Sequence, residues 1–87
     1  MESLKDEELQ KIKKLFGENL KRLREQEELS LLQAGHHSNF DNSNISKYEN
    51  GKREPRLSTI IALAKMLKTH PKNLIDFGID FTEEGGN

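Results

Sequence analysis

Leu9, Ile12, Phe16, Leu20 and Leu23 follow one another at three- and four-residue steps, and Leu57, Ile60, Ile61, Leu63, Ala64 and Leu67 do much the same further on. An α-helix turns once every ~3.6 residues, so each set lies along one side of a helix. No alternating strand pattern and no internal repeat accompanies them. The chain is therefore expected to be all-α. It has 87 residues, of which 32% are apolar and 33% charged, enough for one domain with a thin core. A domain of this size buries only about 60–65% of the surface its unfolded chain exposes. Cysteine is absent, which excludes disulfides, thiolate catalysis and cysteine zinc sites.

Punctuation between the periodic segments divides the chain further. Ser3, with Asp6 three residues on, predicts a loose capping box that starts a helix running to about residue 27. Gly17 inside that helix marks either a break or a close contact, which leaves open whether residues 3–14 form a separate helix. Lys13, Glu18, Lys21 and Glu25 are assigned to its polar face. Ser30 is placed to cap a short helix over "LLQAGHHS". Asp41 is placed to cap a second over "NSNISKYEN", with Gly51 as its stop and Ile45 and Tyr48 on its inner face. The intervening "SNF" leaves room only for a tight turn, so the pair reads as a helix-turn-helix. After the charged loop "KREPR" and the helix from Leu57, Pro71 suits the first position of a last helix, with Leu74, Ile75 and Phe77 available to close the core. About five helices are expected. The implied organisation is a helical extension (1–14), a helix-turn-helix domain (15–78) and an acidic, flexible tail (79–87).

The stretch "NFDNSNISKYENGKREPR" is the least explicable as scaffold. Asn and Ser side chains compete with the helix for backbone hydrogen bonds, so six of them around one short helix call for another reason. Lys47, Lys52, Arg53 and Arg56 cluster with and after them. The net charge is only −1, but acids gather at the ends, at Glu2, Asp6, Glu7, Glu8 and again at Asp76, Asp80, Glu83, Glu84. A basic strip of this kind acts on phosphate over a screened range of roughly 10 Å whatever the average charge.

"LSLLQAG", "ISKYENGKREP" and "IIALAKML" stand, without a gap from Leu29 to Pro55, where the Cro/repressor type of helix-turn-helix, the xenobiotic response element family, reads L-S-Q-x-x-L-A, I-S-x-x-E-x-G-x-x-x-P and L-x-x-L-A-x-x-L. The chain resembles that lambda-repressor-like family from about Phe16 to Phe77. The resemblance implies that the second short helix enters the major groove of duplex DNA, where amides match adenine and lysine matches guanine. Asn42, Ser43, Asn44 and Lys47 are then the base-reading candidates. Asn50, Lys52, Arg53 and Arg56 correspond to phosphate-holding residues. Arg24 and Glu49 fall where the family pairs its first and recognition helices through an ion pair. Three positions depart from the pattern: Leu31 replaces the Gln that braces the recognition helix on phosphate, Ala34 a core Leu, and Gly35 a core Ala.

These readings point to a sequence-specific double-stranded DNA-binding transcriptional regulator, a repressor acting by operator occupancy as a homodimer. Leu4, Leu9 and Leu15, or Ile79 and Phe81 in the tail, are the apolar candidates for a dimer contact, with the tail preferred. Two rival readings involve a protein partner: an antitoxin bound to a toxin, and an interaction domain with weakened DNA binding. Contact with polymerase is a third way in which protein could be engaged. No catalytic residue and no cofactor is expected. His36 and His37 are adjacent, so on a helix they point about 100° apart and, with Asp41, converge poorly on a metal. No apolar run approaches the ~20 residues of a membrane span, and the acidic start "MESLKDEEL" is unlike a targeting segment. A cytoplasmic protein is expected.

Overall fold

The computed structural model describes residues 4–38 and 42–81, without the side chains of residues 37, 38, 42 and 43. Its element order is α1 (Asp6–Gln26), α2 (Leu31–Ser38), α3 (Asn42–Glu49), α4 (Leu57–Leu67) and α5 (Lys72–Ile75). Helix α1 is continuous, so the extension and the domain share one 21-residue helix. Its start differs from the expected one. Ser3 lies outside the described residues, Lys5 occupies the N-cap, and Glu8 rather than Asp6 reaches back, its Oε1 accepting from the Lys5 N–H at 3.0 Å. Asp6, Glu7 and Glu8 fill the first turn, where the helix dipole favours acids.

Gly17 is the close contact rather than the break. A Cβ built there would lie 2.6 Å from the Tyr48 carbonyl oxygen and nearer still to that of Glu49. From the other side, a Cβ on Gly51 would meet the Lys14 backbone at 3.2 Å. The end of α3 therefore rests almost directly on the backbone of α1, and a glycine on each partner permits it.

Helix α2 starts as its sequence predicts. Ser30 Oγ accepts from the Gln33 N–H at 3.1 Å and Gln33 Oε1 from the Ser30 N–H at 2.8 Å, a reciprocal capping box. The expected cap of α3, Asp41, lies outside the described residues, as do Asn39 and Phe40 of the turn. Gly51 ends α3 at φ +71. Its N–H donates to the Tyr48 carbonyl at 3.2 Å and the next, from Lys52, to that of Lys47 at 2.9 Å, the paired bonds of a Schellman motif. The same motif closes α1 through Glu28 and α4 through Lys68, both in the left-handed region without being glycine.

Phe16, Leu20, Ala34, Ile45, Tyr48, Leu63, Ala64, Leu67 and Leu74 form the buried core. Leu20, Ile45, Leu63, Leu67 and Leu74 are wholly inside, each worth about 1.5–3 kcal/mol of transfer from water. The α4 stripe divides where the sequence read it as one face: Thr59, Leu63, Ala64 and Leu67 point inward, whereas Leu57 is 78% and Ile61 43% exposed. At ~100° per residue the last two fall beyond the edge of the buried arc. Of the three residues expected to close the core, Leu74 is buried and Phe77 packs partly buried against it, whereas Ile75 is 50% exposed. The last helix starts at Lys72, with Pro71 just before it. Lys13, assigned to the polar face, is half-buried and lines a shallow apolar hollow with Ile12, Phe16, Pro55, Ile60 and Phe77.

Candidate nucleic-acid interface

Helix α3 is held from below. Ile45 and Tyr48 bury its inner face, and Arg24 fixes its end. The Arg24 guanidinium donates through Nε to Glu49 Oε2 at 2.6 Å, through Nη2 to Glu49 Oε1 at 3.1 Å, and through Nη1 to the Leu29 carbonyl at 2.7 Å. The side chains are only 10% and 6% exposed. One planar cation thus joins α1, α3 and the turn into α2, in the fork geometry that suits arginine to carboxylates. The hydrogen bond to Glu49 raises the Arg24 pKa above its usual value, against the opposing effect of burial and with further help from the Glu49 charge. The pair implied by the resemblance is present.

Away from that seat, α3 presents Lys47, exposed, and on its flank Asn44, partly so. Asn42 and Ser43 open the helix, but their side chains lie outside the described residues. Asn50 is exposed and turns back on its own helix, Nδ2 donating to the Ser46 carbonyl at 2.8 Å and to Ser46 Oγ at 3.2 Å. Lys52, Arg53 and Arg56 are exposed along the loop. Arg53 folds over α3, its Nη1 donating to Asn44 Oδ1 at 2.7 Å. Arg56 stands at the N-cap of α4. Asn44, Tyr48, Arg53, Glu54, Arg56, Ser58 and Thr59 line one polar cleft of about 470 Å³. Arg53 and Arg56, with Glu54 between them in the loop, therefore share one surface with the α3 flank.

Leu31, at the position where the resemblance expects a bracing Gln, packs instead against the core, and Gln33 is engaged by Ser30. His36 is exposed; the His37 side chain and Asp41 lie outside the described residues. Among the described residues no three His, Cys, Asp or Glu are grouped to hold a metal ion, and no helix is long and apolar enough to cross a membrane.

Sequence reasoning missed Asn19. It is buried in α1, donates through Nδ2 to the carbonyls of Leu74 at 3.0 Å and Asp76 at 3.1 Å, and accepts from Arg22 Nη1 at 3.0 Å. A polar residue one position from Leu20 within an apolar stripe was the available signal. Its partners, 55 and 57 residues away, were not.

A helix-turn-helix domain family matches residues 15–76. The uncharacterized HTH-type transcriptional regulator RghRB of Bacillus subtilis is 41% identical over 61 residues, which are 69% of this chain and 44% of that protein. The chain thus spans less than half the length of that relative. The restriction-modification controller protein C.AhdI of Aeromonas hydrophila superimposes with a TM-score of 0.69 at 32% identity, over 71% of this chain and 94% of that one. The hypothetical transcription factor NHTF from Neisseria shares the fold, with a TM-score of 0.72 at 19% identity, over 99% of this chain and 93% of that one. The chain belongs to the helix-turn-helix domain family, of the Cro/lambda-repressor-like type.

Proposed function

We propose that this protein binds double-stranded DNA sequence-specifically through α3 and regulates transcription, as a homodimer that represses by occupying its operator. The carrying observation is a helix whose underside is locked by Ile45, Tyr48 and the Arg24–Glu49 pair while its free side bears Lys47 and Asn44. Such a helix is rigid where it meets the body and polar where it meets solvent, as major-groove reading requires. In this reading Asn42, Ser43, Asn44 and Lys47 face bases, and Asn50, Lys52, Arg53 and Arg56 hold the flanking phosphates. The similarity to an HTH-type transcriptional regulator and to a restriction-modification controller supports a regulatory role.

Selection of bound sequences from a random duplex pool tests the reading. Enrichment of an imperfect palindrome is expected, with affinity falling steeply as salt rises because each neutralised phosphate releases counterions. A pool that emerges unenriched, from protein whose weak binding ignores salt, would overturn it.

A further inference from the structure

On the reading that α3 enters the major groove, we infer that Arg53 sets sequence preference through Asn44, making the two side chains one unit that selects guanine over adenine at the base pair facing Asn44. The chain brings them together by the reversal at Gly51. With φ +71 there, and the Gly51 and Lys52 N–H groups bound back to Tyr48 and Lys47, the loop returns along α3 instead of leaving it. Arg53, nine positions after Asn44, then reaches the other half of the helix and donates Nη1 to Oδ1 at 2.7 Å. Both side chains line the cleft that also takes in Arg56 and the first turn of α4.

The consequence follows from donors and acceptors. An amide reads adenine by accepting from the N6 amino group through its oxygen while donating to N7 through its nitrogen. Here Arg53 already occupies an acceptor position on that oxygen and sets a cation beside it. A guanidinium carries five N–H donors and no acceptor, so the combined surface is rich in donors. Guanine offers two acceptors, N7 and O6, to such a surface. Adenine would turn its N6 donor toward the guanidinium. Lys52 precedes Arg53 and shares its charge, yet only Arg53 of the two is joined to Asn44. Phosphate attraction alone would make them equivalent; the hydrogen bond separates them.

The test is the random-duplex selection repeated with Asn44→Ala, Arg53→Met, the double variant and Lys52→Ala, each first checked for unchanged thermal unfolding. The wild type is expected to favour guanine over adenine about five- to tenfold at the position that Asn44→Ala makes indifferent. Arg53→Met should abolish or invert that preference toward adenine, and the double variant should show no further change there than Asn44→Ala alone. Lys52→Ala should weaken all sequences alike. Arg53→Met protein that binds every sequence more weakly with unaltered base frequencies would overturn the pairing role, as would a wild-type preference for adenine or indifference to Asn44→Ala. A wild-type protein that enriches no sequence would instead overturn the DNA-binding reading on which this one rests.

Discussion

Arg24 is the side chain on which most depends, since its three described hydrogen bonds reach Glu49 twice and the Leu29 carbonyl once. Desolvating both ions offsets much of their attraction, so the pair as a whole adds little net stability. Removing one member is another matter, because the other is then left buried and unpaired. Arg24→Ala and Glu49→Ala are each expected to cost about 3–5 kcal/mol, and the double variant less than their sum. Denaturant unfolding of the four proteins checks this, and strict additivity would show the pair to be uncoupled. Lys68 makes a contrasting case. It closes α4 at φ 56, where a side chain costs about 1–2 kcal/mol that glycine avoids. Lys68→Gly is expected to raise stability by up to about 1 kcal/mol, read as a higher unfolding midpoint with unchanged slope. Gly51→Ala, at a similar φ but facing the Lys14 backbone, should lower it.

Among elements, the seat of α3 on α1 decides whether α3 is held at a fixed angle. Gly17 costs α1 about 1 kcal/mol of helix propensity relative to Ala, yet the carbonyls of Tyr48 and Glu49 occupy the space its Cβ would need. Gly17→Ala should therefore make α1 a better helix in isolation and the protein a worse one, with a net loss of about 1–3 kcal/mol from overpacking. Peptide circular dichroism of α1 against unfolding of the whole chain separates the two effects; a more stable whole protein would refute the close seating. Local signals made much of this legible. Ser30 and Gly51 act within their own turns, and Ile45 with Tyr48 shows a period that a sequence displays directly. Burial on α4 was less legible, because Ile61 lies within a turn of Leu63 and Ala64, Leu57 one turn before Ile61, and hydrophobicity alone does not tell the covered side from the bare one. Asn19 and the Arg53–Asn44 bond depend on chain reversals that bring distant or loop residues together, which no spacing rule encodes.

At the scale of the whole molecule, the bare side of α4 bears on assembly. A single module of this size buries about 600–1,000 Å² on DNA, and two recognition helices one DNA turn apart, about 34 Å, read a palindrome far more selectively. Leu9, Leu15 and Ile79 are partly buried in their own chain, whereas Leu57 and Ile61, one turn apart on α4, stand 78% and 43% exposed. Helix α4 also contributes Ile60 to the apolar hollow that contains Phe16 and Ile75. A two-fold contact must be self-complementary, so each copy has to offer both halves of it; an apolar ridge and an apolar hollow on one copy supply surfaces of the right kind. For the homodimer proposed above, α4 thus offers a contact surface alongside the tail, where Phe81 is 48% exposed. Leu57→Glu with Ile61→Glu should convert the dimer to monomer in sedimentation without unfolding it, because neither side chain supports the core. DNA protection should then shrink from a palindrome to a single half-site, bound more weakly. A double variant that still sediments as a dimer would return the contact to Leu4 or Phe81, both about half exposed, and a wild type that is monomeric on its operator would remove the dimer while leaving the helix-turn-helix and its reading face as they stand.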